Sequence, residues 1–328
     1  MTTKTTVELW PYLGLRSLRV RKVILGFLCT AVTLWGLRKF IRKSECAVSN
    51  VTTAETAELI FVGGHESSGT GLMRVMLDAH PQIRCGAEPM ITLDLLNARH
   101  SMSEGKRQRG IQAGVFPEAF DQAIAAFILK TVEKMGPPAD YLCHKQPMTH
   151  VYMKYLAVLF PKAKFIHMLR DGRAVVASSM QRHLIGNNTK QNMHSWNNLV
   201  TTFLRDCNHL GPQRCMTMRY ESLILDPEIE TRRLFAFLTI PWDPIVLKHH
   251  TMLEKLTHLN PFEPSTKQLR RAIHSDSLGK WAGADYLTKN PFMRVAHGEI
   301  PLLRILGYAK IGIPPNYRNL PVTLPELV

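Results

Sequence analysis

An α/β fold with a mainly parallel central sheet is what this sequence predicts. Short apolar runs alternate with helix-forming stretches, and turn signals separate them. The first run is Leu59-Ile60-Phe61-Val62, partly β-branched and apolar throughout, as a strand buried on both faces requires. Gly63-Gly64 ends it, and Leu72 to Leu77 has helix-forming composition. Pro117 to Met135 carries Phe120, Ile124, Phe127, Ile128 and Val132 at helical spacing, and Pro137-Pro138 stops that helix. Tyr141-Leu142-Cys143 and Lys164 to Leu169 read as two more strands, with Asp171-Gly172 as a turn and a helix from Ala174. Arg214 to Tyr220 reads as a further strand, and a helix over Met293 to Leu306 gives way to Pro-rich coil. The expectation is a three-layer sandwich over residues 58–328.

The 328 residues are 45% apolar, which excludes a disordered chain. The formal net charge is +15, but nine of the 41 Lys/Arg and only one acidic residue fall in residues 1–43. The remainder is moderately basic and suits anionic ligands. No basic-aromatic stripe or zinc-finger spacing points to nucleic acid. Val23 to Leu37 is apolar, with Arg19, Arg21 and Lys22 before it and Arg38, Lys39, Arg42 and Lys43 after it. It is short for a span, and a signal-peptide core is the alternative. A second basic cluster and no small-x-small site favour an uncleaved anchor over residues 23–41, with a cytosolic tail at 1–22 and a polar stem at 42–57. Past Cys29 and Cys46 stand Cys85, Cys143, Cys207 and Cys215, in no metal-binding pattern. An exported domain would pair them in one of three ways; four buried thiols are the alternative. The sequons at Asn50 and Asn187 lie on the same side of the anchor and favour a luminal domain.

Two segments have the chemistry of anion sites. Gly63 to Gly71 reads GGHESSGTG, a Gly- and Ser-rich loop between strand and helix. Such a loop aims backbone N–H groups at a positive helix end, where Ser68 and Thr70 add hydroxyls. The lysine of a Walker loop is missing, which argues against phosphoryl transfer, as does the lack of a carboxylate pair for Mg²⁺. A tight turn without ligand is the plain alternative. Arg170 stands at a strand's carboxyl end, and Ser178 and Arg182, four apart, share one helix face. Two guanidinium forks and a hydroxyl suit a dianionic phosphate; the alternative is a surface salt-bridge set around Asp171.

The stretch FVGGHESSGTGLMRVMLDAHPQIRCGAE, from Phe61 to Glu88, resembles the 5′-phosphosulfate-binding segment of the tyrosylprotein sulfotransferases, and the resemblance extends from about Leu59 to Asn316. It implies the P-loop-like sulfotransferase fold and transfer of a sulfuryl group from 3′-phosphoadenosine 5′-phosphosulfate (PAPS) to protein tyrosines, without a metal. It places the 5′ end of the donor on Ser67, Ser68, Gly69, Thr70 and Gly71, and the 3′-phosphate on Arg170, Ser178 and Arg182. Glu88 becomes the base that takes the phenolic proton. Lys145 faces the donor's sulfate, and Ser265 assists at the transition state. Tyr220 and Lys280 contact the nucleotide, although core packing is the plain reading of Tyr220 and Trp281. The resemblance pairs Cys85 with Cys143 and Cys207 with Cys215. It further implies a homodimer, acidic tyrosine-bearing protein segments as acceptors, and, with the anchor, a single-pass type II protein of the Golgi membrane.

The sequence departs from that family at chemically important places. The family's loop reads Pro-Arg-Ser-Gly-Thr-Thr; here Ser67 stands for the arginine and Glu66 beside it adds an anion. Losing such a cation costs about two to three orders of magnitude in rate. His65 and His144 are the neighbouring candidates to replace its charge. The basic residues that read acidic acceptors are replaced by Met90 and Asp94, which weakens or redirects that recognition. Two readings follow: an active tyrosine sulfotransferase of altered kinetics or specificity, or an impaired homologue that binds nucleotide or acidic peptides without efficient transfer.

Overall fold

The computed structural model describes residues 52–252, 259–260, 262–263 and 266–324. The expected tail, the anchor at 23–41, Asn50 and Ser265 lie outside the described residues. Among the described helices none is long and apolar enough to cross a membrane.

Five strands form one sheet in the order β2-β3-β1-β4-β5. They are β1 (Leu59–Gly64), β2 (Ile83–Cys85), β3 (Tyr141–Lys145), β4 (Lys164–Leu169) and β5 (Cys215–Arg219). All the pairings are parallel. The first helices are α1 (Thr70–Asp78), α2 (Met90–His100), α3 (Glu104–Gln112), α4 (Glu118–Lys134) and α5 (Met153–Leu159). Then come α6 (Gly172–Gln181), α7 (Thr189–Leu210), α8 (Tyr220–Leu225) and α9 (Pro227–Leu238). The C-terminal part holds the short α10 (Thr266–Leu269), α11 (Ala284–Lys289), α12 (Phe292–Glu299) and α13 (Pro301–Ile305).

Strand alternation makes the layers. Ile60 and Val62 of β1 pack with Met73, Met76 and Leu77 of α1 and Leu234 and Phe235 of α9. Leu59 and Phe61 face the other way, onto Ile124 and Ile128 of α4 and Met153 and Leu156 of α5. The second layer begins upstream of β1, because Ala57 is buried in it and Ala54 packs against it. A third cluster joins α6 and α7 to the C-terminal segment through Trp196, Trp281 and Tyr308.

Two expectations are corrected. Asp171-Gly172 is no free turn: Asp171 caps α6 by accepting from the Arg173 N–H, and Gly172 is the first helical residue. A side chain at Gly172 would collide with the Trp196 ring at 2.5 Å. The helix expected over Met293 to Leu306 breaks between α12 and α13, where Pro301 cannot continue it. The strand β2 escaped sequence reading because three residues are too few to show a period.

The sequence from α1 through β2 turns out to be scaffold. Arg74 and Asp78, one turn apart on α1, grip the end of β2: Arg74 Nε donates to the carbonyls of Cys85 and Gly86 at 2.8 Å, and Asp78 accepts from the Cys85 N–H at 2.7 Å. Cys85 and Cys143 sit opposite each other in the β2–β3 register and form a disulfide. Cys207 of α7 and Cys215 of β5 form the second. Asn187 is exposed in the loop before α7.

Three histidines are buried against the sheet: His144, His150 and His167. Burial, with some help from Lys145, holds His144 at about 4. Burial holds His167 at about 3, and burial with His167 nearby keeps His150 well below its usual range. Unfolded, they titrate near pH ~6.5. Their stabilising effect is therefore complete above that pH and is lost as pH falls towards the folded values, at about 1.4 kcal/mol per pH unit for each histidine kept neutral. The urea midpoint of the protein should fall steadily from pH ~7 to pH ~5. A flat midpoint over that range would contradict the buried neutral cluster.

Candidate active site

Each strand delivers one group to the same edge of the sheet. β1 leads into the 65–69 loop, β2 into Glu88, β3 ends on Lys145, β4 leads into Arg170 and β5 into Tyr220. In a parallel sheet these are all carboxyl ends, where ligands bind. The residues they deliver line one cavity of about 370 Å³, together with Ser178 and Arg182 from α6. That volume is in the range of small-molecule sites.

Strand order fixes the sequence of chemistry along this edge. At one end Lys145, 2% exposed, lies between two carboxylates, with its Nζ 2.6 Å from Glu88 Oε2 and 3.2 Å from Glu263 Oε2. Glu263 also accepts the Glu88 N–H at 2.7 Å. Gln146 holds the other Glu88 oxygen at 3.4 Å. Glu263 was missed in the sequence: a lone glutamate 118 residues from Lys145 gives no signal.

The loop occupies the centre. Ser67 adopts φ 67° and its Oγ lies 2.6 Å from Ser179 Oγ. Arg182, at the end of α6, reaches the same hydroxyl. A guanidinium thus stands beside the position that lacks its arginine, supplied from α6. Gly69 adopts φ 102°, and a Cβ there would meet the Tyr220 ring at 2.4 Å. No side chain caps α1 at Gly69, so its positive end opens on the cavity wall formed by Thr70 and Gly71. Ser68 is buried behind the loop with an unpartnered hydroxyl.

At the other end the Arg170 guanidinium lies 4.5 Å over the Tyr220 ring and donates to the carbonyls of Ser67 and Ser277 at 2.8 and 2.9 Å. Its Nε is buried without a partner. Asp171 does not pair with it, which corrects the salt-bridge alternative. Asp171 is buried and bridges Arg173 at 2.8 Å, in a network that also holds Glu221, Tyr308 and Tyr317. Tyr220 is both core and cavity wall. Trp281 is core alone, with Arg173 4.0 Å over its ring.

Several expected residues stand elsewhere. Lys280 is exposed and outside the cavity lining, because its neighbour Trp281 takes the inward direction. Asp94 is exposed on α2, also off the lining, whereas Met90 is on it. Neither histidine replaces the missing arginine. His144 is buried, and burial pushes it down to about 4, with its Nε2 2.9 Å from Thr92 Oγ1. His65 is buried, and burial pushes it down.

An uncapped helix end, a glycine cradle closed by Tyr220, an orphaned guanidinium nitrogen and two arginines fit a ligand with separate anionic groups. The Sulfotransferase family profile matches residues 59–244, so fold and site define a sulfotransferase. Protein-tyrosine sulfotransferase 1 of Homo sapiens is 40% identical over 297 residues, 87% of this chain and 80% of that protein. Protein-tyrosine sulfotransferase A of Caenorhabditis elegans is 38% identical over 269 residues, 80% of this chain and 70% of that protein. The Danio rerio protein-tyrosine sulfotransferase 1 is 39% identical over 268 residues, 79% and 74% of the two chains. This chain belongs to the protein-tyrosine sulfotransferase family.

Gly69→Ala should lower thermal stability by about 2 kcal/mol and weaken nucleotide binding, since it adds both a strained φ and a clash with Tyr220. An unaltered melting temperature would refute the cradle. Burial, and then the Glu88 carboxylate, push Glu66 up, with Arg182 opposing. Glu66 therefore takes a proton at higher pH than an ordinary glutamate, and the cavity loses an anion as pH falls. Glu66→Gln should bind 3′-phosphoadenosine 5′-phosphate about fivefold more tightly at neutral pH, roughly 1 kcal/mol, and its binding should depend less on pH. Titration calorimetry at two pH values reads both effects.

Proposed function

We propose that this protein transfers a sulfuryl group from PAPS to the phenolic oxygen of tyrosine in protein segments. The observation that carries this is the single cavity in which the 67–71 loop, Arg170/Ser178/Arg182 and Glu88 meet. PAPS supplies the activated sulfuryl group. The loop N–H groups at the α1 end hold one anionic end of the nucleotide, while Arg170, Ser178 and Arg182 hold the other. Tyr220, stacked on Arg170, offers its ring to the nucleotide. Glu88 takes the phenolic proton, and Lys145 beside it stabilises negative charge as the acceptor oxygen attacks. Glu263 fixes both through the Glu88 N–H and the Lys145 ammonium.

Two disulfides within the folded unit support an oxidising compartment. With the basic-flanked apolar run Val23 to Leu37 inside the expected anchor at 23–41, this supports a luminal domain anchored in the Golgi membrane. A homodimer is part of the same reading by family likeness alone.

Labelled-sulfate transfer from PAPS to tyrosine peptides tests the reading. Glu88→Gln should lower kcat by 10²- to 10⁴-fold (about 3–5 kcal/mol) and leave nucleotide affinity within about twofold. Glu66 and the absent loop arginine favour a second reading, nucleotide binding without efficient transfer. Saturable binding with no label on any peptide would establish that one.

A further inference from the structure

The rim of the cavity beside Glu88 is apolar. Met90, which opens α2, is 58% exposed, and Phe262, next to Glu263, is 90% exposed. Both line the cavity. The Gln146 amide ties this rim to the base: its Nε2 lies 3.4 Å from Glu88 Oε1 and 3.9 Å from Met90 Sδ. Whatever sits on Glu88 therefore has Met90 for a neighbour. An extended segment advances about 3.3 Å per residue, so the residues flanking an acceptor tyrosine fall on this rim.

The charges around it do not suit an acidic segment. Glu66, Glu88 and Glu263 line the cavity. Exposed Asp94 stands four residues after Met90 on the same face of α2. The Lys145 ammonium is buried between Glu88 and Glu263, and Arg271, the lining arginine nearest in sequence to Phe262, is paired with Asp276 at 2.8 Å. An acidic acceptor would bring like charge to these carboxylates.

We propose that the acceptor tyrosine of this protein is flanked by an apolar side chain that docks on Met90 and Phe262, and that acidic flanks are disfavoured. This rests on the proposed sulfuryl transfer for its setting, yet peptide selectivity is measurable by binding as well as by turnover. Met90 and Phe262 put exposed apolar surface on the wall of the cavity that holds Glu88, where an apolar neighbour of the acceptor would bury it. Selection against acidic segments comes from the surrounding carboxylates.

The test uses the full chain loaded with 3′-phosphoadenosine 5′-phosphate for fluorescence anisotropy, and with PAPS for transfer. Two peptides differ only beside the tyrosine, leucine in one and aspartate in the other. The leucine peptide should bind, and be sulfated, at least about tenfold better. Met90→Arg should shift that ratio towards the aspartate peptide by about tenfold or more, and Phe262→Ser should weaken the leucine peptide alone, with thermal stability unchanged in both. Equal or better binding of the aspartate peptide by the unmodified protein overturns the proposal, as does a Met90→Arg ratio that stays put. Leucine-selective binding without transfer supports this proposal while counting against the catalytic reading.

Discussion

The site is organised around one buried ammonium. Lys145 ends β3 and is almost wholly removed from water, so its charge must be met by protein groups. Glu88 meets it from the turn after β2, and Glu263 from a segment far along the chain. Leaving either side unmatched would strand a buried charge, at a cost of about 3–5 kcal/mol. That constraint holds the base, the cation and the remote segment in one place. The disulfide between Cys85 and Cys143 acts in the same direction, because it locks the β2–β3 register two residues before Lys145 and three before Glu88.

The parallel sheet then sets the remaining distances. With β1 in the middle of the order β2-β3-β1-β4-β5, the phosphate-type loop lies between the Glu88/Lys145 end and the Arg170/Tyr220 end. An elongated ligand that bridges the two ends passes over the α1 N-terminus. The buried Asp171–Arg173–Glu221 network keeps the β4 exit rigid, so Arg170 is pointed by its carbonyl partners and by Tyr220.

The departures from the family's loop look different once side chains have positions. Ser67 is a short hydroxyl where an arginine stands in relatives of this loop type, and Arg182 closes on that hydroxyl. One guanidinium is thus drawn between the two anion sites, with its own burial and then the Arg170 charge working against it and Glu66 working for it. Burial disfavours the charged form of both histidines that offered a substitute charge.

The sequence by itself determined the class of fold, because apolar strands and amphipathic helices are local patterns; β1, β3, β4, β5, α1, α4 and α6 were all visible in it. It also offered Glu88, Lys145, Arg170, Ser178, Arg182 and Tyr220, through motif likeness that local order preserves. Only tertiary structure decided what depends on distant pairing. Glu263 joins Lys145 across 118 residues, and no local pattern can announce such a partner. The same holds for the direction of adjacent side chains. Lys145 faces the cavity while His144 faces Phe61 in the core, and Trp281 turns inward while Lys280 turns out. Strand alternation and packing make those choices, and they depend on which neighbours the folded chain supplies.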